Sequence, residues 1–85
     1  MAVSNAQVTV TTSPTVVFGP DVDGAWVHLR TDNACYFGNS TVTIANGYEL
    51  PKDEGIDLFV GPGETIYGIV AAETNTVYVL ATLNQ

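Results

Sequence analysis

Short stretches in which apolar and polar residues alternate one for one run through most of the chain. A period of two matches a β-strand with one face turned inward and the other outward, whereas a helix requires a period near 3.6. Threonine, valine, isoleucine and aromatic residues dominate these stretches, which favours strands. Because no helical periodicity competes with this pattern, the chain is predicted to be all-β.

Turn-forming residues separate the alternating stretches at intervals of roughly eight to twelve residues. Clear examples are the loop at 19–24, the pair Asn46 and Gly47, and the turn at 61–64. The pattern predicts seven or eight short strands, which is typical of a small antiparallel β-sandwich or barrel. The clearest predicted strands are 7–11, 15–18, 25–31, 41–45, 65–72 and 76–83.

The length of 85 residues leaves room for one domain, which we assign to residues 7–85, with residues 1–6 as a candidate flexible arm. Domains this small often need a disulfide, a metal or a partner subunit. Cys35 is the only cysteine and His28 the only histidine, so neither a disulfide nor the usual four-ligand zinc site can form within one chain. No metal or cofactor is expected, and association between subunits is favoured instead.

The charge balance narrows the range of partners. Nine acidic residues stand against Arg30 and Lys52, which gives a net charge of −7 and rules out the basic track that nucleic acid requires. No apolar run approaches the roughly 20 residues that span a bilayer, so no membrane partner is expected. The amino-terminal residues lack the basic start and apolar core of a secretion signal, which predicts synthesis in the cytoplasm.

The stretch at 25–31 supplies half of a candidate contact surface. Its alternation sets Trp26, His28 and Arg30 on one face and two aliphatic residues on the other. The final stretch, 76–83, is apolar on both faces, as expected for a strand covered on two sides. Tryptophan, arginine and aromatic residues are enriched at the energetic centres of interfaces. The candidate protein-contact residues are Trp26, His28, Arg30, Phe37, Tyr78 and Leu80.

Phe37 joins this set through a predicted hairpin. Asp32 and Asn33 both tolerate the positive φ of a two-residue turn, which would set Arg30 opposite Cys35 and His28 opposite Phe37. The alternative is that Trp26 and Phe37 fill the core, while Val27 and Leu29 face a second layer.

No catalytic site is predicted. The segment that begins at Asp21 looks like the opening of a calcium loop but lacks the required ligands at the later positions. Cys35 and His28 would be diagonal neighbours in the hairpin, yet an orienting group and an oxyanion site are missing from the pattern. No serine lies in a nucleophile-elbow motif. The chain is therefore expected not to be an enzyme.

Three consecutive segments carry a resemblance to a known group of proteins. They read ACYFGNSTVT at 34–43, ANGYELP at 45–51 and LFVGPGETIYGI at 58–69. This order of a strand ending in glycine and a polar residue, a threonine-valine-threonine step, asparagine-glycine and a proline-glycine-glutamate turn resembles small structural proteins of tailed bacteriophages. The pattern spans about the last two thirds of the chain and contains no active-site residues.

The resemblance implies a head decoration or minor capsid protein that binds the outside of the phage capsid and stabilises it. It also implies the major capsid protein and sister copies, in a homotrimer, as partners, and the virion as the location. The alternative is a carbohydrate- or receptor-binding module of a tail or head fibre, in which aromatic rings stack on sugars. The rings that could do so are those of Trp26, Tyr36, Tyr48, Tyr67 and Tyr78.

Overall fold

The computed structural model describes residues 2–83, which form eight β-strands and confirm the all-β prediction. The strands are β1 (Ala2–Val10), β2 (Thr15–Phe18), β3 (Ala25–Thr31), β4 (Cys35–Gly38), β5 (Tyr48–Leu50), β6 (Gly55–Val60), β7 (Ile66–Ile69) and β8 (Asn75–Leu83).

The strands form two four-stranded antiparallel sheets that pack face to face as a β-sandwich. Sheet A has the strand order β1-β8-β3-β6, and sheet B has the order β2-β7-β4-β5. Apart from β4 and β5, consecutive strands lie in different sheets, so most connections cross from one layer to the other. Of the two architectures predicted, the sandwich is the one observed.

The core lies between the sheets and is built from the inward positions of the alternating strands. Val27 and Leu29 of β3 are 2% and 1% exposed, as their alternation predicts, and three residues of β8 lie beside them. Full burial of each of the larger apolar side chains stabilises the fold by about 1.5–3 kcal/mol. The residues of the core cluster are Val10, Val17, Ala25, Val27, Leu29, Cys35, Phe37, Leu50, Val60, Val70, Val77, Val79 and Ala81.

The predicted hairpin between 25–31 and the following strand is wrong. β3 pairs with β6 on one side and β8 on the other, so both of its edges are occupied, and β4 lies in sheet B. The Asp32 carboxylate accepts a hydrogen bond from the Thr76 backbone at 3.2 Å, and Asn75 donates its amide to the Asn33 carbonyl at 2.7 Å. These contacts tie the 32–34 turn to β8 as the chain crosses between sheets.

The predicted strand at 41–45 is also wrong, because asparagine side chains hold this segment as a loop. The Asn39 side chain accepts hydrogen bonds from the backbone and hydroxyl of Thr41, at 3.0 and 2.8 Å. The Asn46 side chain accepts one from the Thr43 backbone at 2.8 Å. Such local bonds compete with strand pairing.

Two other predicted segments differ in their extent. The predicted strand 65–72 is shorter, since β7 covers only Ile66–Ile69. Residues 2–6, expected as part of an arm, form the first half of β1 and pair with β8. Met1 lies outside the described residues.

Candidate functional site

The side of sheet A that faces away from sheet B carries a regular grid of side chains, which we call the outer face. Strand pairing aligns these residues in three rows that each cross β1, β8, β3 and β6. The rows are Val3, Thr82, Trp26 and Phe59; Asn5, Leu80, His28 and Asp57; and Gln7, Tyr78, Arg30 and Gly55.

Large apolar side chains lie open on this face. Trp26 is 61% exposed, Leu80 52% and Phe59 44%. The rings of Trp26 and Phe59 meet edge to face, with centroids 5.3 Å apart and an interplanar angle of 61°. The contact holds the two rings in a defined arrangement and contributes about 0.5–1.5 kcal/mol beyond burial. The outer face therefore presents a preorganised aromatic surface.

Arg30 adds a cation to this surface. Its guanidinium carbon lies 5.6 Å from the centroid of the Tyr78 ring, its cross-strand neighbour on β8. This is a cation–π distance, and at an exposed site it is worth about 0.5–1 kcal/mol. The contact restrains a long side chain that would otherwise lose more conformational entropy on binding.

His28 and Asp57 form a polar pair in the middle row. The Nδ1 atom of His28 lies 2.6 Å from a carboxylate oxygen of Asp57, which is its partner in the pairing of β3 with β6. Gly55 leaves room for the imidazole ring, since a Cβ there would come within 3.0 Å of two ring atoms. Both side chains are well exposed, so the pair contributes little to stability.

A shallow depression of about 350 Å³ lies between Trp26 and the polar pair. Its rim is formed by Trp26, His28, Asp57, Leu80 and Thr82. The depression can receive a protruding side chain of a partner, with the indole on one side and hydrogen-bonding groups on the other.

The net negative charge of the chain lies away from the outer face. Only Asp57 of the nine acidic residues lies on it, and Arg30 offsets that carboxylate. The other eight acidic residues lie in turns, loops or β5, so the rest of the chain carries the whole net charge of −7. A surface without net charge opposes the approach of a protein partner less than the acidic remainder of the chain does.

The outer side of sheet B is different, because part of it is covered by the chain itself. The 39–47 loop folds back over β4 and buries Val42, which is 2% exposed. Gly38 and Gly47 permit this close approach, since a Cβ at either would come within 2.9 Å of the Val42 side chain. No segment of residues 2–83 covers the outer face of sheet A in this way.

Five of the six predicted contact residues share the outer face, namely Trp26, His28, Arg30, Tyr78 and Leu80. Phe37 does not join them, because it points into the core from sheet B and is 7% exposed. The alternative interpretation placed both Trp26 and Phe37 in the core. It is wrong for Trp26 and correct for Phe37. Sequence reasoning missed Asp57 and Phe59, whose pairing with β3 spans about thirty residues of chain.

Cys35 is buried at 0% exposure and donates its thiol to the Ile69 carbonyl at 3.6 Å. Burial raises the pKa of the thiol from its ordinary 9.0 to about 11, because the loss of solvation outweighs the opposing effect of its hydrogen bonds with the backbone. A neutral thiol is a poor nucleophile.

The His28 and Asp57 pair resembles the base and orienting groups of a catalytic triad, but it lacks the third component. Among residues 2–83, no hydroxyl or thiol is hydrogen-bonded to the His28 ring. Within the same range, no group of three or more metal-ligating side chains comes together. The arrangement is suited to recognition on an open surface, where water is not excluded.

A second, smaller opening lies between the sheets on the side of β5 and β6. It has a volume of about 190 Å³ and an almost wholly apolar lining. Ile56 and Leu58 line it from β6 and are only partly buried, whereas Phe37 and Tyr48 line it from sheet B. The sandwich is therefore less tightly closed at this side.

In the described part of the chain, no helix is long and apolar enough to cross a bilayer.

Comparison with known proteins adds no family. No family model matches the chain, and neither a curated protein nor a solved structure matches it. The structure thus defines a class of protein, a small β-sandwich with one bare aromatic face.

Proposed function

We propose that this chain is a non-enzymatic virion structural protein, a head decoration or minor capsid protein of a tailed bacteriophage. In this proposal the outer face of sheet A docks on the outside of the capsid shell. Contacts with the major capsid protein clamp neighbouring capsid subunits together and stabilise the shell. The phage assignment comes from the sequence pattern at 34–69, and the docking role comes from the outer face.

The single observation that carries the docking role is the exposure of Trp26, Leu80 and Phe59 on one continuous surface. The fold does not need these side chains at these positions, because they face away from the core. Large exposed apolar patches on small proteins mark interaction sites, and tryptophan is prominent among residues that dominate binding energy.

The charge distribution supports the same role. The eight acidic residues away from the outer face oppose non-specific aggregation of free copies and favour solubility before docking. Because the outer face carries no net charge, its approach to a protein surface is opposed least. The polar row of His28 and Asp57 then supplies hydrogen bonds that fix orientation.

Association with sister copies is the second part of the proposal. The resemblance implies a homotrimer, and the chain has neither a disulfide nor a metal site among its described residues to reinforce its small core. Several linked copies on one shell would also bind more tightly than single copies through effective concentration.

Co-sedimentation with head shells tests the docking role. Shells of the virus that encodes the chain, assembled without it, are mixed with the purified protein and pelleted. We expect the wild-type chain to pellet with the shells and Leu80→Ala to be at least tenfold weaker. Ile44→Ala is the matched control, because Ile44 is 49% exposed but lies on the 39–47 loop. Equal binding by all three proteins, or none by the wild type, would overturn the proposal.

A carbohydrate- or receptor-binding module of a fibre is the second candidate. The observation in its favour is the exposed indole of Trp26 beside the hydrogen-bonding pair His28 and Asp57. Against it, Trp26 and Tyr78 share the outer face while Tyr36, Tyr48 and Tyr67 belong to sheet B. Saturable binding of host-surface polysaccharide that Trp26→Ala abolishes, without binding to shells, would favour this candidate.

A further inference from the structure

Sheet A ends in two edge strands, and they differ sharply in charge. β6 contains Asp57, follows Asp53 and Glu54, and is followed by Glu64. Charged residues at an edge discourage pairing with another chain. β1, at the opposite edge, is nine residues long and contains neither a charged residue nor a proline. Of the two edges, only β1 lacks protection.

The amino-terminal half of β1 is also poorly covered. Ser4 and Ala6 lie opposite Ala81 and Val79, which are buried, so their side chains are on the core side of the sheet. Both are nevertheless exposed, so the rest of the described chain leaves this half of the strand uncovered. Within the described residues, β1 is hydrogen-bonded to β8 alone. Its free edge and its inner side are therefore both open to a second chain.

We propose that β1 pairs with β1 of a second copy in antiparallel orientation, which joins two A sheets into one continuous eight-stranded sheet. The inference rests on the self-association part of the proposed function and is independent of the docking part. An antiparallel pair of identical strands has two-fold symmetry and closes on itself. The product is a dimer, in place of the homotrimer that the resemblance implies.

The side chains of β1 suit pairing with themselves. With the two-fold axis at Ala6, the middle residue of the strand, Asn5 lies opposite Gln7 of the partner and Val3 lies opposite its Thr9. These pairs bring amides together and set an aliphatic residue against a β-branched one, without like charges. The acidic loops at the β6 side point to the far ends of the assembly, where repulsion between the two copies is weakest.

The pairing has a consequence for the outer face. A two-fold axis perpendicular to the sheet leaves both outer faces on the same side of the joined sheet. Two aromatic surfaces then point toward one target, and docking becomes bivalent.

Sedimentation velocity of the purified chain, without shells, tests the pairing. We expect twice the mass of one chain, and a monomer for the double variant Asn5→Asp and Gln7→Glu, which places four like charges across the interface. The matched control is Asn33→Asp with Asn39→Asp, which makes the same charge change in loops and should stay dimeric. A wild-type monomer, a trimer, or a dimer that survives the β1 variant would overturn the inference.

Disulfide cross-linking tests the register. Opposed residues of an antiparallel pair have Cα atoms about 4.5–5.5 Å apart, which is within the range of a disulfide. Ala6→Cys should therefore form a covalent dimer under mild oxidation, while the buried Cys35 stays unreactive. Ser40→Cys, in the exposed 39–47 loop, is the control and should stay uncross-linked. Cross-linking of both variants or of neither would contradict the register.

Because these measurements use the chain alone, their failure is distinct from failure of the docking role. A dimer that ignores shells leaves the β1 pairing standing and removes the docking role. A monomer that binds shells does the reverse.

Discussion

The two faces of sheet A are built from the same strands, but folding accounts for only one of them. On β3 and β8 the inner positions, such as Val27 and Val79, are buried against sheet B. The outer positions, such as Trp26 and Leu80, are also large and apolar, yet they remain half exposed or more. An apolar side chain that the core does not use costs solubility without stabilising the chain. This difference is the basis of our proposal that the outer face binds a partner.

A leucine-to-alanine substitution should give the largest difference in the free energy of unfolding between the two faces. Leu29→Ala leaves a cavity at a residue that is 1% exposed and should lower the free energy of unfolding by about 2–5 kcal/mol. Leu80→Ala, at 52% exposure, should change it by less than about 1 kcal/mol. Urea unfolding of both variants measures this difference. Similar losses for both would mean that the outer face is part of the folding core.

The ionisation of Cys35 tests whether water is excluded from the core between the two sheets. Well below pH 9 the thiol is neutral in both the folded and the unfolded chain, so its ionisation does not affect stability there. Between pH 9 and about 11 the thiol ionises in the unfolded chain first, because the folded pKa is raised to about 11. Stability should fall as pH rises through this window, by up to about 2–3 kcal/mol.

Urea unfolding at pH 8 and pH 10.5 measures this loss, and Cys35→Ala provides the reference because tyrosines and lysine also titrate there. The wild type should lose more stability than the variant between the two values. Equal losses would mean that the thiol is not held in a dry environment.

Trp26→Ala should separate stability from binding. Removal of the indole deletes the edge-to-face contact with Phe59, so the free energy of unfolding should fall by no more than about 1.5 kcal/mol. Binding to shells should weaken by roughly 30-fold, which corresponds to about 2 kcal/mol for a residue at the centre of an interface. Co-sedimentation over a range of shell concentrations measures the affinity. Unchanged affinity would move the contact surface away from Trp26.

The smallest effect is expected at Arg30. Arg30→Gln removes the cation over the Tyr78 ring and should destabilise the fold by about 0.5–1 kcal/mol. Lys52→Gln makes the same change in net charge from the β5–β6 turn, so it serves as the control. Thermal unfolding of the two variants isolates the ring contact from the charge. An identical change in both would show that the cation–π contact does not stabilise the fold.

Much of the fold could be predicted from local pattern. The strands at 15–18 and 25–31 match β2 and β3, because period-two alternation reports directly which side chains face inward. The pairing of the strands could not be predicted from the sequence, since the partners of β3 lie about thirty and fifty residues away along the chain. The segment 41–45 has the alternation typical of a strand but is not one. Two asparagine side chains accept hydrogen bonds from its backbone, in place of the hydrogen bonds that a neighbouring strand would make.

The candidate site could be predicted in part, because the alternation along a strand shows which of its residues share a face. Trp26, His28 and Arg30 share one parity on β3, so their common face follows from the sequence alone. Asp57 and Phe59 share the parity of β6, but only the pairing of β6 with β3 brings them beside His28 and Trp26. Phe37 lies in the core and not on the outer face, because the 32–34 turn crosses between the sheets in place of the predicted hairpin.

The proposed function depends on the outer face of sheet A being the surface that docks. Reconstruction of the parent particle at side-chain resolution tests it most directly. We expect regular copies over the capsid shell, with Trp26, Phe59 and Leu80 buried against the major capsid protein and the 39–47 loop facing solvent. Density confined to the tail tip, or copies on the shell with the outer face still open to solvent, would contradict it.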